Sequence, residues 1–373
     1  MRPPFVVLSN HANFWDPFLV AFAFRHPVHL IAADGNYRSR IMRFLMGLAG
    51  TVPKAKSRND MESIRAMQAL VRNGNAVGFF PEGQRTWDGR SRALLPGTEK
   101  LVRILGVPVV AVRLKGAYLS KPRWAVSFRR GLLEIELTTL FSGAEVKTGG
   151  RRELALGIEK ALFFDDNRWQ EEHRLLFVGR NRAGGAGTVL FFCPSCGGWD
   201  TFESRGEIAR CGACGTETYF LPSGTLQGGP FRRLPEWNEF QLQTLRNAVR
   251  GDRERPDGEH SPLPCVSPAA TLFTGHRSRP LRSWGTVRAE LTREHLTLTA
   301  SATRKTLAPG CTRRIGVKEI SGLTVQYTHQ LEFYAGGRLY VLRIRPPGPS
   351  AYRFEQTILA ITAGPGSTLL REK

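Results

Sequence analysis

A histidine and an aspartate stand five residues apart in the segment Leu8–Phe18. On a continuous helix this spacing would splay the two side chains apart, so they can meet only if the chain turns between them. Asp16-Pro17 supplies a turn, because an aspartate cap followed by proline is a common helix start. A neutral imidazole whose other ring nitrogen is held by a carboxylate is a competent general base near pH 7. His11 and Asp16 therefore suit proton removal from a hydroxyl, although a loop histidine and a plain helix cap would show the same spacing.

A carboxylate, a glycine and a guanidinium follow the apolar run Ala76–Phe80 as Glu82, Gly83 and Arg85. Glycine lets the backbone approach a ligand closely, and arginine binds phosphate through a two-pronged contact. Lys56 lies in a basic loop just ahead of a predicted helix, where an anionic head group would also meet the helix dipole. These residues favour an anion-binding site, while solvated loops of the same composition are the alternative.

The four cysteines Cys193, Cys196, Cys211 and Cys214 form two CxxC pairs, with 14 residues between the pairs. A glycine follows each pair, which allows a tight knuckle that points two thiolates at one ion. Four thiolates make a closed tetrahedral zinc site. The pattern predicts a zinc ribbon with a structural zinc ion.

Length and composition narrow the class of protein. A chain of 373 residues with 41% hydrophobic residues is long enough for two or three domains with their own cores. Its formal net charge of +21 favours polyanionic partners, either a phospholipid surface, a phosphorylated substrate or nucleic acid. The positive excess is larger in residues 1–190 than in residues 191–373.

Apolar runs are too short for a membrane span, which needs about 18–20 residues. The N-terminus passes from Met1–Pro4 straight into a strand-like run, with no pattern of a secretory signal. We therefore expect a cytoplasmic protein resting peripherally on the inner face of the cell membrane. Paired CxxC motifs in such a compartment point to metal rather than disulfides.

Residues 1–172 alternate apolar runs with helical patterns, which predicts an α/β domain with a mixed, largely parallel sheet flanked by helices. The expected strands are Phe5–Leu8, Val28–Ala32, Ala76–Phe80 and Val107–Leu114, with a hairpin of Trp124–Phe128 and Leu132–Leu137. The expected helices are Pro17–Phe24, Arg38–Leu48, a helix opened by a capping box at Asn59–Glu62, Thr98–Leu105 and Arg151–Phe164.

The rest of the chain divides by composition. We expect a linker at 173–189, the zinc ribbon at 190–220, a helix and a linker at 221–269, and a β-rich domain at 270–373. In the last region, alternating strands are followed by one helix, Ala351–Thr362. This order resembles a small pleckstrin-homology-like barrel.

Taken together, the motifs of the first domain resemble those of the glycerolipid acyltransferase family, which includes glycerol-3-phosphate and 1-acylglycerol-3-phosphate (lysophosphatidic acid) acyltransferases. His11 and Asp16 match the family's His-x-x-x-x-Asp motif, and Phe80–Thr86 matches its Phe-Pro-Glu-Gly-Thr-Arg-Ser block, with glutamine and threonine as mild departures. Lys56 falls where the second block carries a basic residue, and Val107–Val112 matches a later block. The resemblance covers roughly residues 5–165.

The resemblance implies a mechanism. His11, oriented by Asp16, removes the proton from a glycerol hydroxyl, and the alkoxide attacks the thioester of acyl-CoA or acyl-carrier protein. Glu82, Gly83 and Arg85 would hold the acceptor's phosphate, with Lys56 as a second cation. The resemblance implies no covalent acyl-enzyme, and the lack of a Gly-x-Ser-x-Gly nucleophile elbow in the sequence agrees with this.

The expected activity is therefore formation of phosphatidic acid from lysophosphatidic acid on an anionic membrane surface. Acylation of glycerol-3-phosphate or of another lysolipid is the alternative within the family. A nucleic-acid-binding protein built on the zinc ribbon is the alternative outside it, and a catalytically dead scaffold is a third. We rank nucleic acid lower because the basic excess lies mainly on the acyltransferase-like half.

The family usually carries a helical segment ahead of the His motif that helps its members reach the membrane. Ten residues precede His11 here, so either the chain begins further upstream or other surfaces dock on the membrane.

Overall fold

The computed structural model falls into two compact units. The N-terminal unit comprises Met1–Arg123 and Phe128–Gly179, and the C-terminal unit comprises Trp124–Ser127 with the residues from Arg180 onward. The residues that the structure describes are 1–54, 61–251, 265–276, 279–301, 310–346 and 348–363.

The described part of the N-terminal unit contains one six-stranded sheet. Its strands are β1 (Val6–Ser9), β2 (Val28–Ala33), β3 (Val52–Lys54), β4 (Ala76–Phe79), β5 (Val109–Lys115) and β6 (Glu134–Phe141). The strand order is β3-β2-β4-β1-β5-β6, and every neighbouring pair is parallel except β5 with β6. The predicted α/β fold with a mixed sheet is confirmed.

The described residues of this unit also form helices. They are α1 (Asp16–Phe22), α2 (Arg40–Leu48), α3 (Met61–Arg72), α4 (Thr98–Leu105), α5 (Ala117–Ser120), α6 (Gly143–Thr148), α7 (Arg151–Leu162) and α8 (Asp166–Glu172). Strands β1 and β4 are buried at every position, as a parallel sheet covered on both faces requires. Met67 of α3, Val102 of α4 and Ile158 of α7 pack into the same core cluster as these strands.

Two local predictions in this unit were wrong. Trp124–Phe128 forms no strand, and the partner of β6 is β5. Trp124–Ser127 belongs to the C-terminal unit, where the Trp124 ring lies 5.6 Å from the ring of Phe220. Within this apolar run Trp124 and Ala125 are buried, whereas Val126 and Phe128 are exposed. Asp16 is also not the cap of α1, because Trp15 occupies that position.

The C-terminal unit begins with a small four-stranded sheet in its described residues, in the order β10-β9-β8-β7. Its strands are β7 (Phe202–Arg205), β8 (Ile208–Cys211), β9 (Glu217–Phe220) and β10 (Leu226–Gln227), and helix α9 (Leu234–Gly251) follows. The segment that we predicted as a linker is packed here: Ala183, Ala186 and Val189 are buried. The Arg182 side chain pairs with Glu207 at 2.9 Å.

Seven antiparallel strands form the second sheet of this unit in the described residues, in the order β14-β13-β12-β11-β17-β16-β15. They are β11 (Val266–Gly275), β12 (Arg282–Leu291), β13 (His295–Ala300), β14 (Thr312–Gly316), β15 (Ser321–Gln326), β16 (Gln330–Ala335) and β17 (Arg338–Ile344), and helix α10 (Ala351–Thr362) ends the described chain. This confirms a β-rich region followed by one helix. The domain boundaries drawn from composition remain predictions.

Candidate active site

Three adjacent strands bring three loops to one edge of the N-terminal sheet. Strands β4, β1 and β5 lie side by side and run parallel, so their carboxyl ends open on the same side. His11 follows the end of β1, Glu82 follows β4, and Gly116 follows β5. Crevices at the carboxyl ends of parallel strands are where α/β folds bind ligands. The convergence of the His and Pro-Glu-Gly motifs thus follows from strand order.

The loop after β1 turns sharply enough to join His11 and Asp16. The Nδ1 atom of His11 lies 2.8 Å from Oδ2 of Asp16. The same oxygen accepts hydrogen bonds from the backbone N–H groups of Ala12 and Asn13, at 2.6 and 2.7 Å. Asp16 is fully buried. Its carboxylate therefore reaches back across the turn, and this explains why a residue inside the first turn of α1 can orient the histidine.

The His11 ring is placed as a neutral base. Because Asp16 accepts from Nδ1–H, the lone pair lies on Nε2. Burial lowers the pKa of His11, the Asp16 contact raises it, and the charges of Arg85 and Arg123 lower it further. The ring stacks on Phe80 with centroids 4.2 Å apart. His11 is thus uncharged at neutral pH and fixed in orientation.

Two asparagines hold this loop against the neighbouring strand. The side chain of Asn10 donates to the carbonyl of Leu114 at 3.0 Å and accepts from its N–H at 2.8 Å. The amide of Asn13 donates to the carbonyl of Ala117 at 2.8 Å and to Oγ of Ser120 at 3.3 Å. Both asparagines are buried. Their partners lie about a hundred residues away in sequence, so local sequence patterns gave no signal for these contacts.

Glu82 contacts backbone rather than facing solvent. Its Oε1 accepts from the N–H of His11 at 2.9 Å and its Oε2 from the N–H of Arg92 at 2.8 Å. Burial raises the pKa of Glu82 to about 8. The next residue, Gly83, has φ of +69°, and an added Cβ would lie 2.7 Å from Cδ1 of Leu95. Glycine alone fits that turn.

Arg85 and Lys56 complete the residues predicted to bind phosphate. The carbonyl of Arg85 accepts from Nη1 of Arg123 at 3.1 Å, and the Arg85 charge acts on the His11 ring. Lys56 lies outside the described residues, as do Asn59 and Asp60 of the predicted capping box Asn59–Glu62. The structure thus brings His11, Asp16, Glu82 and Gly83 together and places Arg85 within electrostatic range of the histidine.

A second buried acid lines the same crevice. Asp166 lies in the crevice wall with His11, Glu82 and Thr86. Its carboxylate accepts hydrogen bonds from the backbone N–H groups of Gly116 and Tyr118, and burial raises its pKa to about 8. The sequence analysis did not single out this residue. Only the packing of α8 beside the β5 loop brings it there.

The four paired cysteines of the C-terminal unit fit a zinc ion. Their Sγ atoms all lie within 4.8 Å of one another. The Cys193–Cys214 and Cys196–Cys211 Sγ pairs are each 3.8 Å apart. Zinc–sulfur bonds of about 2.3 Å in a tetrahedron put the sulfur atoms about 3.8 Å apart. The cluster therefore has the donors and the spacing of a structural zinc site.

Comparisons with known proteins concern the N-terminal unit. The family model described as Acyltransferase matches residues 1–115. The chain is similar to the chloroplastic 1-acyl-sn-glycerol-3-phosphate acyltransferases of Brassica napus and Arabidopsis thaliana. Each is 30% identical over 115 residues, which make up 30% of this chain and 33% and 32% of theirs. The 1-acyl-sn-glycerol-3-phosphate acyltransferase of Borreliella burgdorferi is 24% identical over 113 residues, 29% of this chain and 44% of that protein.

The matched segment spans about a third of the length of the plant relatives. Among solved structures, the 1-acyl-sn-glycerophosphate acyltransferase PlsC from Thermotoga maritima matches with a TM-score of 0.38 and 20% identity, over 45% of this chain and 66% of that one. Residues 1–115 thus match the Acyltransferase family model, and the chain is similar to curated 1-acyl-sn-glycerol-3-phosphate acyltransferases over a segment of that length.

Proposed function

We propose that this protein transfers a fatty acyl group from a thioester donor to the hydroxyl of lysophosphatidic acid, forming phosphatidic acid for phospholipid biosynthesis. The observation that carries the proposal is the 2.8 Å contact between His11 and the buried Asp16 at the carboxyl edge of the sheet. Similarity over 115 residues to proteins named 1-acyl-sn-glycerol-3-phosphate acyltransferases supports the choice of acceptor.

His11 acts as general base in this mechanism. With Nδ1–H held by Asp16, Nε2 takes the proton of the acceptor hydroxyl while the oxygen attacks the thioester carbonyl carbon. The carbon–sulfur bond breaks as the ester bond is completed, and the departing thiolate takes the proton from His11. The products are an ester and a free thiol. The base returns to its neutral form without an acyl-enzyme.

Binding of the acceptor's phosphate falls to Arg85, because a guanidinium forms charged hydrogen bonds with an oxyanion, and Gly83 lets the backbone approach the ligand closely. Lys56 remains our prediction for a further cation. The donor is acyl-CoA or acyl-carrier protein, since both present the same reacting thioester. Glycerol-3-phosphate and other lysolipids are the alternative acceptors, and they carry a similar hydroxyl.

A peripheral membrane position is part of the proposal. Helix α2 has no buried residue, and its Ile41, Phe44 and Leu48 are each about two-thirds exposed or more. Phe18 and Phe22 of α1 are also exposed. A basic protein with such apolar helix faces suits insertion into the interface of an anionic bilayer. No helix in the described ranges is long and apolar enough to cross a membrane.

The test is acyl transfer from long-chain acyl-CoA and from acyl-carrier protein to lysophosphatidic acid presented in anionic vesicles. We expect the wild type to form phosphatidic acid and His11→Gln to lose at least about 100-fold in rate, the usual contribution of a general base. His26→Gln is the matched control, because His26 is an exposed histidine away from the crevice. A wild type silent with both donors and with the alternative acceptors would refute the proposal.

A further inference from the structure

We propose that Arg123, on the segment that follows α5, is a second guanidinium contact for the phosphate of the acceptor. It would act together with Arg85, which lies on the loop after β4. Arg123 lies beyond residues 1–115, the segment matched by the family model. The inference rests on the proposed function for the identity of the acceptor, and its binding test stands apart from turnover.

The loop that carries Arg123 is tied to the catalytic loop. The amide of Asn13, two residues after His11, donates to the carbonyl of Ala117 and to Oγ of Ser120. These two contacts hold α5 and the chain that leaves it beside the histidine. Arg123 follows three residues after Ser120, so its backbone starts next to the site.

The guanidinium itself is held by the loop after β4. Its Cζ lies 4.1 Å from the centroid of the Trp87 ring, and its Nη1 donates to the carbonyl of Arg85 at 3.1 Å. Trp87 is in turn fixed, since its carbonyl accepts from the hydroxyl of Tyr118 at 3.2 Å. Arg123 is buried, with 7% of its surface exposed. The stacking on Trp87 and the hydrogen bond to the Arg85 carbonyl thus fix the plane of the guanidinium beside the loop that carries Arg85.

The position suits the chemistry of the substrate. In lysophosphatidic acid the reacting hydroxyl and the phosphate lie on neighbouring glycerol carbons, so a base near the hydroxyl needs cations close by. The charges of both Arg85 and Arg123 reach the His11 ring strongly enough to lower its pKa. Two guanidinium groups can grip a phosphate through several charged hydrogen bonds, which a single arginine cannot match.

The binding experiment uses the full-length protein with zinc and a short-chain, monomeric lysophosphatidic acid, measured by calorimetry. The matching phosphate-free monoacylglycerol is the second ligand. We compare wild type, Arg123→Gln, Arg123→Lys and the control Arg168→Gln, whose side chain is exposed on α8. Loss of a charged hydrogen bond predicts affinity for lysophosphatidic acid about 10- to 100-fold weaker in Arg123→Gln, with partial recovery in Arg123→Lys.

The acyl-transfer assay adds a second readout. We expect Arg123→Gln to raise KM for lysophosphatidic acid and to lower the preference for phosphorylated over phosphate-free acceptors by the same 10- to 100-fold. Wild-type affinity in Arg123→Gln, or an equal loss for both ligands in a variant that melts like the wild type, would overturn the inference. Phosphate-dependent binding without any acyl transfer would refute the proposed function while supporting the role of Arg123.

Discussion

The carboxylate of Glu82 accepts a hydrogen bond from the backbone N–H of His11 at 2.9 Å. Its second oxygen accepts from the N–H of Arg92 at 2.8 Å. One buried side chain therefore fastens the loop after β1 to the loop after β4. The family resemblance suggested that Glu82 holds the acceptor's phosphate. These contacts favour a positioning role instead, because both oxygens are engaged by backbone N–H groups.

We expect Glu82→Gln to lower kcat by about 10- to 100-fold while changing KM for lysophosphatidic acid little, since a small displacement of His11 costs this much. The side-chain amide introduced at position 82 would turn one N–H group toward a backbone N–H that needs an acceptor. Steady-state kinetics measure the split. Glu99→Gln is the control, because Glu99 is a buried acid of α4 that pairs with Arg151. A large rise in KM with unchanged kcat would contradict the positioning role and support a role of Glu82 in phosphate binding.

On the acid side of the pH profile, kcat/KM should fall at a pH below 6.5, because burial lowers the pKa of His11 from that value. The base is neutral above its pKa, so kcat/KM falls as pH drops through it. Asp16→Asn removes the contact that raises this pKa. In this variant we expect kcat/KM to fall at a still lower pH than in the wild type, and kcat to be reduced by about 10²–10⁴. A wild-type fall above pH 6.5, or a fall at the same pH in Asp16→Asn, would contradict this assignment.

Stability of the N-terminal unit should fall as pH rises from 6.5 to about 8. Burial raises the pKa of Glu82 and of Asp166 to about 8, from 4.5 and 3.8. The folded state then holds protons in this range that the unfolded state has released, so the free energy of unfolding declines with pH. Urea unfolding at both ends of the range measures the slope. Glu82→Gln should flatten it, and Glu99→Gln should leave it as in wild type.

Vesicle binding should depend on α2. We expect the double change Phe44→Ser and Leu48→Ser to weaken binding to vesicles containing phosphatidylglycerol by at least about 10-fold, because each buried apolar side chain contributes roughly 1.5–3 kcal/mol. Co-sedimentation measures the affinity. Leu156→Ser on α7 is the control, since Leu156 is a similarly exposed leucine on another helix. Equal binding by the double variant and the wild type would exclude α2 as the docking face.

Zinc removal should loosen α10. Trp199 and Asp200 lie between the two cysteine pairs, and both contact Arg353 of α10: its Cζ lies 4.5 Å from the Trp199 ring centroid, and its guanidinium pairs with Asp200. We expect a chelator to release about one zinc per chain, shift Trp199 emission to the red and speed amide exchange in α10.

Cys196→Ser should reproduce these zinc effects without a chelator. Amide exchange in the N-terminal unit, which contains none of the four cysteines, serves as the internal control. If amide exchange in α10 is the same with and without zinc, the contact of Arg353 does not depend on the metal.

Sequence alone determined the features that depend on neighbours along the chain. Short motifs of this kind predict their chemistry from a few neighbouring residues; they are the His11–Asp16 spacing, the glycine at Gly83 and the paired cysteines. Alternating apolar runs also fixed the α/β class of the first unit and the strand-rich character of the last. These signals survive without a structure because turn geometry and strand or helix periods are local properties.

Tertiary structure decided the contacts between distant segments. Glu82 reached the backbone of His11, Asp166 entered the crevice and Arg123 stacked on Trp87 because β4, β1 and β5 lie side by side with α8 nearby. Trp124–Ser127 left the N-terminal unit for the same kind of reason. Strand order and helix packing come from burying many apolar surfaces at once, and no local pattern encodes which distant residues then meet.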